Sequence, residues 1–263
     1  MRTQLESSHE VSRAYVDGLA TAVFNEARLI VAVGVRAAEA VADWSGSTPI
    51  LAVLVPRTWY LKGGWTHLSD GGRRVASAIY LDQPFARQAR LIRLVFPEAR
   101  RVGVLLSAQQ RTWAAELDAA LRGQRLGLVY AVVTEEDRII APLEQVLNET
   151  DLLLALPDPM IFNRNTAQSL FLTSYRYRDP VVGYSRSMTR AGALLSLYST
   201  PAQIGRQAAQ WAGEALGNAR PVRLPPAAAP VYFEVSINEQ VARSLGFSLP
   251  PERELEKRLE ALQ

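Results

Sequence analysis

Phe96-Pro97-Glu98-Ala99-Arg100-Arg101-Val102-Gly103-Val104-Leu105-Leu106-Ser107-Ala108-Gln109-Gln110 is the stretch from which the fold can be read. It begins on the last core-facing residue of an amphipathic helix. Asp82-Gln-Pro84 opens that helix, and Phe85, Ala89, Ile92 and Phe96 recur on one face of it. Pro97 stops it. Arg101–Leu106 is then a short apolar run of strand length. Ser107-Ala-Gln-Gln110 has capping-box spacing and predicts a second helix to about Arg122, stopped by Gly123. Helix, buried strand, helix is the repeating unit of a parallel sheet covered on both faces.

The same alternation extends in both directions. Further strands are expected at Arg28–Val33, Pro49–Val55, Val75–Tyr80, Gly127–Val133, Asp151–Leu156, Pro180–Tyr184, Gly192–Tyr198 and Val231–Val235. A helix is expected over Ala37–Trp44. Thr200-Pro-Ala-Gln203 is a second capping box with Pro at the first helical position; its helix should run through Trp211 to Leu216 and stop at Gly217-Asn218. Asn238 is placed to cap a short helix ended by Gly246. Pro225–Pro230 is expected as a loop or linker. Glu252–Leu262 is expected as a terminal amphipathic helix with Leu255, Leu259 and Leu262 on one face.

Composition limits the function. Of 263 residues, 48% are apolar and 21% charged, enough for a full core. No apolar run approaches the ~20 residues of a membrane span, so direct membrane insertion is not expected. The net charge of +3 comes from scattered arginines, with Lys only at positions 62 and 257, which reads as solvated faces and not a nucleic-acid site. No helix-turn-helix pattern precedes the first strand. Without cysteine there is no disulfide, thiolate metal site or Cys nucleophile. Met1–His9 carries no apolar stretch of the signal-peptide kind.

A search for reactive groups finds little. Val33-Gly34-Val35-Arg36 has one glycine where a dinucleotide fingerprint has three, so no cofactor is expected. His9 and His67 each stand alone and read as surface residues. No His–carboxylate metal spacing and no Gly-x-Ser-x-Gly elbow is present. Glu135-Glu136-Asp137 reads as a solvated loop. No metal site and no enzyme is expected.

What remains are polar groups at strand ends, where open parallel sheets bind ligands. Gly34, Val35 and Arg36 start a helix that could hold an anion, Arg36 clamping a carboxylate or simply facing solvent. Asp158, between Pro157 and Pro159, could accept from a ligand ammonium or be a turn residue. Tyr184 offers a ring face and Ser185 a hydroxyl, or the two form a loop tip. An anion clamp together with an ammonium acceptor would suit an amino-acid-like zwitterion.

The order of these pieces resembles the ABC-transporter substrate-binding proteins of type I periplasmic fold, in the group that includes tryptophan/tyrosine binders. The stretches that carry it run from about Leu29 to Pro250: Val33–Ala38, Phe96–Leu105, Ala191-Gly-Ala193 with Gly205, and Val235-Ser-Ile-Asn238 with Ala242, Leu245-Gly246 and Pro250. The resemblance implies two Rossmann-like α/β lobes with parallel sheets and a multi-segment hinge. It puts 1–80 and 198–222 in the first lobe, 81–197 and 223–250 in the second, and a terminal helix at 251–263. It implies a small-molecule ligand in the hinge cleft, a membrane permease as partner, and a periplasmic or extracytoplasmic location. A ligand sensor reporting to a membrane kinase is the alternative. Carried over by position, Gly34, Val35 and Arg36 line the first lobe. Ser107 and Gln110 take the place of the polar loop on the second, and Asp158, Tyr184 and Ser185 follow. The chain departs from the pattern in three places. Val35 replaces a hydroxyl residue, and Ser107–Gln110 replaces an Asn/Ser loop. Residues 1–28 leave no room for the first lobe's opening strand, helix and strand, so its first βα unit is expected to be missing or rearranged.

Overall fold

The computed structural model describes residues 10–17, 23–44, 46–217 and 221–262. The expectations on His9 and Asn218 lie outside these residues. The chain divides into two compact units, residues 1–82 with 199–233 and residues 83–198 with 234–263.

Unit 1 is built on three parallel strands, β1 (Ile30–Val33), β2 (Ile50–Val55) and β3 (Ala76–Tyr80), in the order β1-β2-β3. Along β2 the apolar run is continuous because both faces are covered. Ile50 and Ala52 pack with Ala38 and Val41 of α1 (Val35–Ala42) and with Leu68. Leu51 and Val53 face the other way, onto Ile204 and Ala208. These belong to the long helix Pro201–Gly217. Its capping box is reciprocal. Thr200 N donates to Gln203 Oε1 at 2.9 Å, and Gln203 N donates to Thr200 Oγ1 at 3.3 Å. Between β2 and β3 lies a kinked helical run, Arg57–Trp59, Tyr60–Gly64 and Trp65–Leu68, that the strand pattern gave no sign of. The kink sits at Gly63, with φ of 135°, a backbone that favours glycine.

The expected linker Pro225–Pro230 is more than a linker. Ala228 N donates to Ala78 O and Tyr80 N donates to Ala228 O, and Ser77 Oγ bonds Pro225 O. The segment therefore runs along the β3 edge in unit 1. Residues 223–233, expected with the second lobe, belong to unit 1 for this reason.

Unit 2 holds six strands: β4 (Arg101–Ser107), β5 (Gly127–Val133), β6 (Leu152–Leu154), β7 (Val181–Gly183), β8 (Leu195–Tyr198) and β9 (Glu234–Ile237). Their order is β5-β4-β6-β7-β8-β9, parallel except for the antiparallel β8–β9 pair. The strand expected at Val231–Val235 begins three residues later. Val231–Phe233 stay in unit 1, where Gln207 Oε1 accepts from Val231 N and Ser199 Oγ bonds Tyr232 O. The helices of this unit are α2 (Phe85–Val95), α3 (Ala114–Arg122), α4 (Ile140–Leu147), α5 (Ala167–Tyr177) and α6 (Arg186–Ala191). The long helix of unit 1, Pro201–Gly217, is α7, followed in unit 2 by α8 (Glu239–Leu245) and α9 (Glu252–Glu260). Leu105, Leu153 and Val181 pack against Leu143, Val146 and Leu147 of α4 and against Leu170 and Phe171 of α5.

Ser107 is not a helix cap. It is the last residue of β4, and the helix waits until Ala114, after a turn and a 3-10 segment at Arg111–Trp113. Register explains this, since β4 pairs with β5 through Ser107↔Val133, so its backbone is held extended. Asn238 does cap α8, accepting from Val241 N at 3.1 Å, and Gly246 ends it at φ 81°. Residues 251–263, set apart in the sequence reading, belong to unit 2. Leu255 and Leu259 of α9 are fully buried, Leu262 is exposed, and the helix also closes the sheet edge. Glu256 accepts from Val235 N at 2.9 Å and Glu252 from Ile237 N at 2.8 Å. Two carboxylates thus satisfy donors that an edge strand leaves open.

Candidate functional site

In unit 2 the strand order reverses at β4, which lies between β5 and β6. Beyond the carboxyl ends of β4 and β6 is the topological switch point, where open α/β sheets bind ligands. Three of the sequence-nominated residues, Ser107, Gln110 and Asp158, come to this edge, and Tyr184 and Ser185 follow just after β7.

From β4 come Ser107 and Gln110, both buried. Gln110 N donates to Ser107 O at 3.0 Å, closing the turn. The Gln110 side chain crosses to the next loop, where Nε2 donates to Pro157 O at 2.7 Å. A carbonyl only accepts, so this bond fixes the amide's orientation and puts Oε1 on the other side. Gln110 is 3% exposed, and Oε1 has no hydrogen-bond partner among the described residues.

From β6 come Pro157 and Asp158. The chain stays buried through Ala155 and Leu156, and Ala155 N still bonds Val182 O. Asp158 then starts a tight loop. Its Oδ1 accepts from Met160 N at 2.9 Å, and its carbonyl accepts from Ile161 N and Phe162 N. Thr166 Oγ1 stiffens the same loop, donating to Ile161 O at 2.6 Å and accepting from Asn163 N. Pro-Asp-Pro turn chemistry and a buried acid therefore coincide here. Asp158 is 7% exposed and forms no ion pair among the described residues. A buried carboxylate without a cation is expensive unless something else supplies the charge.

From β7 come Tyr184 and Ser185. The Tyr184 ring meets Phe162 edge-on, centroids 6.2 Å apart. Burial raises the Tyr184 hydroxyl's pKa, and the Asp158 charge raises it further, so the phenol keeps its proton. The Ser185 hydroxyl caps α6, accepting from Met188 N at 3.3 Å, and shares a hydrogen bond with Ser187.

The unit 1 residues are placed differently. Gly34 caps α1 with φ of 85°, and its N–H bonds Val53 O. Val35 packs partly into the core. Arg36 has a side chain 77% exposed and pairs with Asp17 Oδ1 at 3.1 Å, so its guanidinium is already matched to an acid in solvent. His67 is likewise a surface residue, 3.0 Å from Asp43.

Sequence reasoning missed a second polar cluster at the strand ends of unit 1. A register shift between Val53 and Val55 leaves Leu54 at φ 57°, a conformation uncommon outside glycine. Just beyond it, Arg57 N donates to Asp82 Oδ2 at 2.7 Å. Burial raises the Asp82 pKa, and the Arg57 hydrogen bond opposes that rise. Tyr60 and Tyr80 meet edge-on at 5.5 Å, and burial raises both hydroxyls. From its sequence, Asp82 is expected to open the next helix. Pro84 stands at the helix N-cap instead, because the Asp82 side chain is drawn back to the helical run after β2.

No group of three or more His, Cys, Asp or Glu that could hold a metal occurs among the described residues. None of their helices is long and apolar enough to cross a membrane.

Two α/β units with parallel-dominated sheets and polar groups at the switch point define a type I periplasmic binding fold. The chain belongs to the ABC transporter substrate binding protein family, whose model matches residues 2–257. A domain from Streptococcus pneumonia solved in complex with L-Trp shares 17% identity, with a TM-score of 0.60 over 89% of this chain and 79% of that one. A conserved domain protein from Vibrio cholerae shares 19%, with a TM-score of 0.62 over 90% and 79%. The ligand-free, open form of a substrate binding protein with adhesive properties from Clostridium difficile shares 17%, with a TM-score of 0.66 over 86% and 76%. Comparison with curated proteins gave no match. At these identities the solved structures speak to the fold. Family membership implies a small-molecule ligand, a transporter permease as partner and a place outside the cytoplasm. Proteins of this family are generally non-catalytic.

Proposed function

We propose that the chain is the non-catalytic solute-binding component of an ABC-type uptake system and takes an amino-acid-like small molecule through its ammonium group. The observation that carries this reading is Asp158, a carboxylate buried at the switch point with one backbone hydrogen bond and no cation beside it. A ligand ammonium supplies the missing charge. Gln110 and Tyr184 stand next to it as polar and aromatic contacts. The Streptococcus relative solved with L-Trp supports an amino-acid-like ligand.

Thermal-shift screening tests the reading. A ligand at 100 times its Kd stabilises the folded state by about 2.7 kcal/mol. A stabilising amine or amino acid is expected, and Asp158→Asn should weaken it at least about tenfold by removing the charge-assisted bond. A screen of amino acids, small amides and purines without a stabiliser, or an Asp158→Asn variant that binds as well as the native chain, refutes it.

A further inference from the structure

We infer that the ligand is a primary amine carrying a second N–H donor, an amino-acid amide in preference to a free amino acid. This rests on the Asp158 reading above and narrows it. The switch point of unit 2 presents acceptors. Asp158 Oδ2 has no protein partner among the described residues, and neither has Gln110 Oε1. The second is an independent observation. Gln110 is buried, its orientation is locked by Pro157 O, and its remaining acceptor costs free energy until a donor reaches it. Gln110 bonds to the carbonyl just before Asp158, so the two acceptors belong to adjoining loops. A ligand carboxylate brought there would meet two more acceptors, whereas an ammonium and an amide N–H would satisfy both.

Within unit 1, two groups that could hold an anion are each bonded to one of the unit's own acids. Arg36 is paired with Asp17. At the start of the helical run after β2, the place of an anion is taken by Asp82 Oδ2 on Arg57 N. The Arg36 guanidinium, expected as a carboxylate clamp or as a solvent-facing group, is exposed and paired with an acid. The Tyr184 hydroxyl remains as a donor for an amide oxygen.

Calorimetry on the full chain with common L-amino acids, their primary amides and their decarboxylated amines decides the matter. The amide should bind at least about tenfold more tightly than its free acid. In Gln110→Met, the ratio of amide to matched-amine affinity should fall about tenfold. The amide-to-amine ratio is the readout, since general loosening of the loop moves both together. A free acid that binds as well as its amide, or a Gln110→Met variant that keeps the native ratio, overturns the inference and leaves the Asp158 reading standing. No binding by any member of the panel overturns both.

Discussion

Asp179 should make unit 2 less stable as the pH rises from about 4 to about 6, and Asp179→Asn should abolish that dependence. The residue lies between α5 and β7 and is 8% exposed. Burial lifts its pKa to about 6; the hydrogen bond from Thr150 Oγ1 at 3.1 Å opposes the rise and the Asp151 charge adds to it. An unfolded Asp titrates near 3.9. The folded state therefore holds a proton that the unfolded state has released throughout this window. Unfolding free energy then falls with pH, with νN greater than νU. Roughly two units at about 1.4 kcal/mol each give a loss of about 3 kcal/mol by pH 7. Asparagine keeps an oxygen for Thr150 and never ionises. Denaturation of both chains at pH 4 and pH 7 is the assay. The variant should match the native chain near pH 4 and exceed it by up to about 3 kcal/mol at pH 7, a rise in Tm of several degrees. A variant that is less stable at pH 7, or a difference that does not change with pH, refutes the reasoning.

Gly103→Ala should destabilise unit 2 by about 1–3 kcal/mol in the same assay, because its Cβ would stand 2.5 Å from Val146 Cγ1 and 2.9 Å from Thr150 Oγ1. Full stability in that variant would show that α4 can move away from β4. Replacing Glu252 and Glu256 together by Ala should cost about 1–3 kcal/mol, from two lost hydrogen bonds between charged groups and backbone N–H donors of β9. It should also raise light scattering at high concentration, since an edge strand is left uncovered. No change in either measurement would mean that α9 holds the edge through Leu255 and Leu259 alone.

Much of this architecture is legible locally. Runs such as Ile50–Val55 and Arg101–Leu106 are apolar throughout because both faces of their strands are covered, and that pattern needs no partner to be read. Thr200–Gln203 and Asn238–Gly246 are equally local, since a cap and the N–H it serves lie within one turn. Asp158 could be nominated because an acid between two prolines fits neither helix nor strand. These features the sequence determined by itself, as they depend on neighbours within a few residues.

Only the tertiary structure decided the rest. Ser107 has cap spacing, yet pairing with Val133 keeps it in the strand. Asp82 looks like a helix opener, but it bonds Arg57 N, 25 residues away in sequence. Arg36 looks like an anion clamp until Asp17 is found against it. That Gln110 reaches Pro157 and keeps one acceptor unmet follows from the order β5-β4-β6, which sets two distant loops side by side. Spacing along the chain cannot fix a hydrogen-bond partner that long-range packing supplies, and here those partners separate polar groups that are satisfied from those that are not.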